Sequence, residues 1–266
     1  MTSALRFEAL APLRDDPERA AILLDIDGTL APIVQEPSRA HVPEQTRQLL
    51  IAISERYGVV ACVSGRRASE ARAMVAIGSI SYLGSHGAEL LPAGATESQL
   101  DPQLEGWSRR IHEFGRETDT ADVRRTGVRL EDKGAILAFH WRGAADEDAA
   151  RQAIDSIATR AEGAGFRTHW GRKVLEVRPP VQFDKGVGVT GLLDSRNIGA
   201  AMYVGDDVTD LDAFRAIGRL AEQGRIQHAI RVGVQSEDGP PQIVEEADVV
   251  VQGTQGVRDL LSALAG

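Results

Sequence analysis

One cysteine, Cys62, occurs in 266 residues. A lone cysteine excludes an internal disulfide and fits a reducing compartment. It lies in the apolar run Val59-Val60-Ala61-Cys62-Val63 and reads as a small buried hydrophobe rather than a nucleophile. No uninterrupted apolar stretch approaches the roughly 20 residues of a membrane span. The N-terminus clusters Arg14, Asp15, Asp16 and Glu18 and lacks the sustained apolar segment of a signal peptide. A soluble, cytoplasmic protein is therefore expected. Positive charge is in deficit: the net charge is −9, which argues against a nucleic-acid or anionic-membrane partner. An anionic substrate would need local help from a metal, lysine or arginine.

Several motifs are missing as well. The six histidines show no paired metal-ligand spacing, which argues against a zinc site. There is no G-x-x-x-x-G-K-[ST] phosphate loop. Gly186-Val187-Gly188-Val189-Thr190-Gly191 fits G-x-G-x-x-G, but no long apolar strand precedes it, so the dinucleotide reading lacks its context. Internal repeats and low-complexity segments are absent, and the 42% apolar fraction is ordinary for a globular chain.

What is present is organised around Asp25-Ile26-Asp27-Gly28-Thr29-Leu30, which follows the apolar run Ala21-Ile22-Leu23-Leu24. An apolar run ending at two carboxylates reads as a buried strand delivering an active site, since α/β sheets gather ligands beyond the carboxyl ends of their strands. In an extended chain Asp25 and Asp27 share a side while Ile26 points into packing. Gly28 and Thr29 offer a turn whose backbone N–H groups suit an anion. One carboxylate to attack and one to move a proton is equipment for phosphoryl transfer.

Along the chain, strands are expected at about 21–26, 59–63 and 81–83, separated by helices and by a loop marked by Pro32, Pro37 and Pro43. This alternation signals a parallel sheet with crossover helices. From about 105 to 180 the pattern changes to clustered strands around a helix, an α+β unit inserted into an α/β fold. Alternation resumes with a helix opening at Lys185, the strand Ala201–Val204, and a helix that Thr209 is expected to cap. The expected fold class is thus a Rossmann-like parallel-sheet core, 1–104 with 181–266, carrying an α+β domain at 105–180.

Four clusters fall at strand or helix ends: Asp25/Asp27, Ser64/Arg66, Lys185, and Asp206/Asp207/Asp210. Taken singly, Ser64-Gly65-Arg66 is also a plain turn, Lys185 a solvated lysine, and Asp210 with Asp212 a complement to a helix dipole. Taken together, they supply what Mg²⁺-assisted phosphoryl transfer needs: oxygen ligands for a hard cation and donors for phosphoryl oxygens.

The ordered set resembles the haloacid dehalogenase superfamily of aspartate-nucleophile phosphatases and, more closely, the trehalose-6-phosphate phosphatase family. The closer likeness rests on Gly84-Ser85-His86-Gly87-Ala88-Glu89, Glu131-Asp132-Lys133-Gly134, Gly171-Arg172-Lys173-Val174-Leu175-Glu176 and Asp184-Lys185-Gly186 beside the four clusters. Ile26, where an aromatic is common, and Leu211, where an acidic residue often follows, depart from the pattern. The resemblance implies that Asp25 is the nucleophile, with Asp27 as general acid and then base. It implies Mg²⁺ held by the Asp25 side chain, the Asp27 backbone carbonyl and Asp206, with Asp207 and Asp210 as orienters. Ser64 and Lys185 would bind phosphoryl oxygens, with Gly28, Thr29, Arg66 and His86 as further substrate contacts.

The same resemblance makes 105–180 a cap domain that closes over the core and recognises the sugar through Glu131, Lys133, Lys173 and Glu176. Without it, those charges read as a solvated sheet face. The implied substrate is trehalose 6-phosphate, in the last step of trehalose biosynthesis, and a trehalose-6-phosphate synthase is an implied partner. The alternatives are a phosphatase of another sugar or glycoside phosphate, such as glucosylglycerol phosphate, and a silent sugar-phosphate-binding regulatory domain.

Overall fold

The apolar run Ala20–Leu24 forms β1, and all of its residues are buried. Burial on both faces is what a parallel sheet with helices on either side imposes, and it explains why the run is continuous rather than alternating. The computed structural model describes residues 8–34, 40–194, 196–237 and 239–266; Pro37 of the expected loop and residues 1–7 of the lead-in lie outside them.

β1 sits inside an eight-stranded sheet with β2 (Val59–Val63), β3 (Ser81–Gly84), β4 (Glu89–Leu91), β5 (Gln99–Leu100), β10 (Ala200–Gly205), β11 (His228–Gln235) and β12 (Val249–Gln252), in the order β12-β11-β10-β1-β2-β3-β4-β5. From β12 to β3 every pairing is parallel, and β4 runs antiparallel to β3. Alternate residues of β1 face two cores. Ile22 and Leu24 pack with Leu50 and Ile53 of the helix Glu44–Arg56 and with Leu260 and Leu264 of the helix Gly253–Ala265. Ala21 and Leu23 pack with Val189 of the helix Lys185–Asp194 and Phe214 of the helix Asp210–Glu222. Cys62 is fully buried among the first set, and burial pushes its thiol pKa up, as expected for a structural hydrophobe.

The chain divides into two compact units, residues 1–99 with 183–266, and residues 100–182. The second contains an antiparallel sheet of β6 (Arg129–Asp132), β7 (Leu137–His140), β9 (Val174–Arg178) and β8 (Arg167–Gly171), in the order β6-β7-β9-β8. The helices Pro102–Thr118 and Glu147–Gly163 bury Ile111, Phe114, Ile154 and Ile157 against Leu137, Phe139, Leu175 and Val177 of the sheet. Period-two alternation then sends Glu131 and Glu176 to the other face, where both lie opposite Ala138 in register.

Candidate active site

Strand order decides which side chains meet. β10 lies beside β1, so the residues that follow each strand share one carboxyl-end region. Asp25 continues the pairing, its N–H donating to the Val204 carbonyl at 2.9 Å. Lys185, first residue of its helix, then donates to Asp25 Oδ1 at 2.6 Å and to Asp210 Oδ1 at 2.7 Å. All three side chains are buried.

The helix carrying Lys185 is held close by its glycines. A Cβ on Gly188 would stand 2.7 Å from the Gly87 Cα, and one on Gly186 would stand 2.3 Å from the Asp212 carbonyl oxygen. The G-x-G-x-x-G pattern therefore serves close packing inside a helix. Asp184 starts that helix by accepting the Val187 N–H at 2.8 Å.

Asp210 is fully committed. Oδ1 accepts from Lys185 and from the Tyr203 hydroxyl at 2.7 Å, and Oδ2 accepts the N–H groups of Asp206 and Asp207, each at 3.0 Å. Four donors use the acceptor capacity of one carboxylate. The cap expected from Thr209 is not made: that residue has helical backbone angles and no side-chain cap hydrogen bond, and the N–H groups of Asp210 and Leu211 donate to the Asp207 and Val208 carbonyls. The exposed Asp207 turns its Oδ1 to the Val208 N–H at 2.7 Å. Tyr203 was missed from the sequence, because in the run Ala201–Val204 it reads only as core. Burial and the nearby Asp210 and Asp25 carboxylates hold its phenol pKa well above the usual value, so it stays a donor.

The turn after β1 differs from its expected role. Gly28 has φ +89°, and a Cβ there would lie 2.0 Å from Asp206 Oδ2, so glycine meets both the backbone angle and the close approach. The N–H groups expected to face an anion are used internally: Gly28 donates to Ala31 and Thr29 to Ile26. The buried Thr29 hydroxyl donates to Asp206 Oδ1 at 3.1 Å. Gly28 and Thr29 thus shape the turn and place Asp206.

Asp25, Asp206 and Asp210 bring one carboxylate oxygen each within 4.8 Å of one another. Burial raises the Asp25 pKa; Lys185 opposes the rise, Asp210 and Asp206 add to it, and the net direction is up. Asp206 is pushed up to about 6, by burial first and then by Asp210. Burial works to lower the Lys185 pKa, but Asp210 and Asp25 outweigh it and the net shift is upward, so the ammonium persists. Three carboxylates share one ammonium. A hard cation with oxygen ligands fits that imbalance, and since Asp210 is saturated, Asp25 and Asp206 are the side chains suited to hold it. No backbone N–H among the described residues donates to the Asp27 carbonyl, which remains a suitable third oxygen.

The Asp27 side chain joins a different partner. Arg66 forks onto it, Nε to Oδ2 at 2.7 Å and Nη2 to Oδ1 at 2.6 Å. Ser64, buried at the end of β2, accepts the Arg66 N–H on its hydroxyl at 3.1 Å. His86 sits in the short helical turn after β3 with φ +57°; its N–H donates to the Ser64 carbonyl at 3.0 Å, and a Cβ on Gly65 would lie 2.8 Å from its ring.

In the 100–182 unit, Lys133 bridges Glu176 at 3.3 Å and Glu131 at 3.9 Å, while His140 Nε2 and Glu131 Oε2 pair at 2.7 Å. Arg178 closes the chain on Glu176. The hydrogen bond to His140 lowers the Glu131 pKa against the opposing effect of burial. Lys173 stays outside this network: at the β8–β9 turn it pairs with Glu147.

Comparison with known proteins fits this geometry. The trehalose-phosphatase family model matches residues 23–245. A trehalose 6-phosphate phosphatase of Zea mays is 30% identical over 77% of this chain, which spans 61% of that protein's length. A probable trehalose-phosphate phosphatase of Sinorhizobium fredii is 29% identical, covering 99% of this chain and 94% of the relative. Among solved structures, the C-terminal domain of Candida albicans trehalose-6-phosphate phosphatase superposes with a TM-score of 0.69 at 20% identity, covering 100% of this chain and 97% of that one. A fold-level match to a haloacid dehalogenase-like hydrolase of Bacteroides thetaiotaomicron has a TM-score of 0.62 at 15% identity, covering 92% and 99%. The chain belongs to the trehalose-phosphatase family and has the fold of haloacid dehalogenase-type hydrolases.

Proposed function

We propose that this protein hydrolyses trehalose 6-phosphate to trehalose and phosphate, the last step of trehalose biosynthesis, through a phosphoryl group carried on Asp25. The observation that carries the reading is the buried Asp25–Lys185–Asp210 ion cluster beside Asp206, at the carboxyl ends of adjacent parallel strands in a chain of this family. Lys185 opposes the rise that burial imposes on the Asp25 pKa and so favours its carboxylate form, from which an oxygen forms the bond to phosphorus as the bond to the sugar oxygen breaks. Asp27 gives its proton to that departing oxygen. It then takes a proton from the water that attacks the Asp25 phosphoryl group, releasing phosphate and restoring the Asp25 carboxylate and the protonated Asp27. Ser64 and Lys185 bind phosphoryl oxygens, and Tyr203 and Asp207 support Asp210, which aims Lys185. Asp25, the Asp27 carbonyl and Asp206 are the groups to hold Mg²⁺, which when bound neutralises phosphoryl charge.

For the sugar end, the reading assigns Glu131, Lys133 and Glu176, whose alternating charges suit a hydroxyl-rich ligand, with Lys173 and His86 as further contacts. The 100–182 unit then acts as the cap. The location is cytoplasmic, in keeping with the single buried thiol; no helix among the described residues is long and apolar enough to cross a membrane. A trehalose-6-phosphate synthase, which would supply the substrate, is the partner this reading carries.

The test is phosphate release with Mg²⁺ from trehalose 6-phosphate, beside glucose 6-phosphate, sucrose 6-phosphate and glucosylglycerol phosphate, with Asp25→Asn as the blank. Preference for trehalose 6-phosphate is expected. Preference for another ester would move the error to the sugar contacts, and no release from any would leave a binding domain.

A further inference from the structure

The two carboxylates after β1 have contrasting partners, and the partner of Asp27 is the informative one. Arg66 is pinned through its own backbone. Its N–H donates to Ser64 Oγ at 3.1 Å, and its carbonyl accepts the Ser85 N–H at 2.7 Å. Ser85 is anchored in turn: its hydroxyl and the Ala68 N–H donate to the same Glu89 oxygen, at 3.0 and 2.8 Å. Glu89 thereby supplies an acceptor at the start of the helix Ala68–Val75, whose N-cap residue Arg67 makes no side-chain cap hydrogen bond. From this fixed backbone the guanidinium meets both Asp27 oxygens, at 2.7 and 2.6 Å. An isolated surface ion pair contributes little and carries no functional message. This pair differs, because a two-bond fork sets the plane of the carboxylate as well as its position. The side chains are only 22% and 38% exposed, and Asp27 is flanked by the buried Ile26 and by Gly28 at φ +89°.

We propose that Arg66 is a positioning residue that acts through Asp27: it holds the carboxylate plane so that one oxygen addresses the departing ester oxygen and then the attacking water. Its guanidinium is committed to Asp27 rather than to the phosphoryl group, which revises the substrate-contact role expected from the sequence. The inference rests on the phosphatase reading above and deepens it.

The two half-reactions separate the roles. Nitrophenolate leaves without being protonated, so p-nitrophenyl phosphate can phosphorylate Asp25 without Asp27, whereas hydrolysis of the phosphoryl-enzyme still needs it. The experiment is rapid mixing of the full chain and Mg²⁺ with p-nitrophenyl phosphate, and steady-state assay with trehalose 6-phosphate, for wild type, Arg66→Ala, Arg66→Lys, Asp27→Asn and the Asp27→Asn/Arg66→Ala double variant. Arg66→Ala is expected to reproduce Asp27→Asn: a stoichiometric nitrophenolate burst, then turnover slowed roughly 10²-fold with KM lowered as well, because the phosphoryl-enzyme accumulates. Arg66→Lys should fall between, and adding Arg66→Ala to Asp27→Asn should cost nothing more, since residues acting as one unit are not additive.

A raised KM without a burst, a further loss in the double variant, or unchanged kinetics in Arg66→Ala would each overturn the proposal. Thermal midpoints check folding, and if Arg66→Ala does not fold, the Arg66→Lys burst decides. Wild type and Asp25→Asn separate the two claims. Absence of wild-type turnover on both esters sinks the phosphatase reading, whereas wild-type turnover with the wrong Arg66 pattern sinks only the positioning role.

Discussion

In the 1–99/183–266 unit, Asp25, Lys185, Asp206 and Asp210 are nearly inaccessible; in the 100–182 unit, the Glu131 side chain is 54% exposed and Lys133 and His140 are partly so. Both groups are chains of alternating charge, yet burial makes them different objects. A buried charge must be paired or it shifts its pKa, so each contact in the first group constrains the chemistry. A half-exposed pair is screened by water and worth little by itself, so the second group is free to exchange its internal partners for a ligand's hydroxyls. The buried group should therefore govern both stability and turnover. The exposed one should govern substrate preference alone.

The sharpest way to break this contrast is to remove one charge from each. Lys185→Met leaves Asp25, Asp206 and Asp210 without their shared ammonium and should destabilise the protein by about 3–5 kcal/mol, as for other broken buried pairs, besides abolishing activity. Glu131→Gln, at the 54% exposed end of the second group, should cost under about 1 kcal/mol. Urea midpoints at constant m-value measure both, and equal losses would erase the distinction.

A second comparison lies within one helix. Gly188→Ala forces a methyl against Gly87 and should cost about 1–3 kcal/mol while displacing Lys185. Gly191→Ala meets open space and should stabilise by about 0.5–1 kcal/mol through helix propensity. Matching signs would refute the close-packing role of these glycines.

On the sheet face proposed to meet the sugar, Glu131→Ala should lower kcat/KM for trehalose 6-phosphate roughly 10- to 100-fold, the scale of a hydrogen bond to a charged group, and should spare p-nitrophenyl phosphate. Equal losses on both esters would reject a sugar contact.

The smallest expected effect is a pH dependence. A carboxylate raised to about 6 in the folded state binds a proton that the unfolded chain, with its ordinary value of 3.8, has released. In metal-free protein, stability should therefore rise as pH falls from 7 through 6 towards 4, because the folded state then holds more protons. Mg²⁺ should raise the thermal midpoint more at pH 7 than at pH 5, since protonated Asp206 is a poor ligand. Melting scans with Mg²⁺ and with EDTA check this, and a larger metal effect at pH 5 would contradict the assignment of Asp206.

What the sequence made legible follows the same division. The strand ending in Asp25 and Asp27 was readable because an apolar run stopping at carboxylates is a local pattern, and the doubly covered sheet followed from alternation. Partnerships across the chain were not readable: Lys185 meets Asp25 through a separation of 160 residues, and Tyr203 reaches Asp210 from a run that looks purely apolar. Thr209 misled because residue type favoured it as a cap, while the chain is already turned helically at Thr209 and the N–H groups of Asp210 and Leu211 donate to the Asp207 and Val208 carbonyls. The helices Ala121–Arg125 and Pro241–Glu245 are five residues each, too short for a helical period to register. Lys173 shares charge type and strand context with Lys133, and only the turn geometry sends it to Glu147 instead.

The most direct test of the account is to look for the phosphoryl group itself. Asp27→Asn should slow its hydrolysis, so that variant, mixed with p-nitrophenyl phosphate and Mg²⁺ and quenched in acid, should carry one phosphoryl group on the peptide containing Asp25 by mass spectrometry. Turnover with no phosphoryl-enzyme, or a phosphoryl group on any other residue, would contradict it.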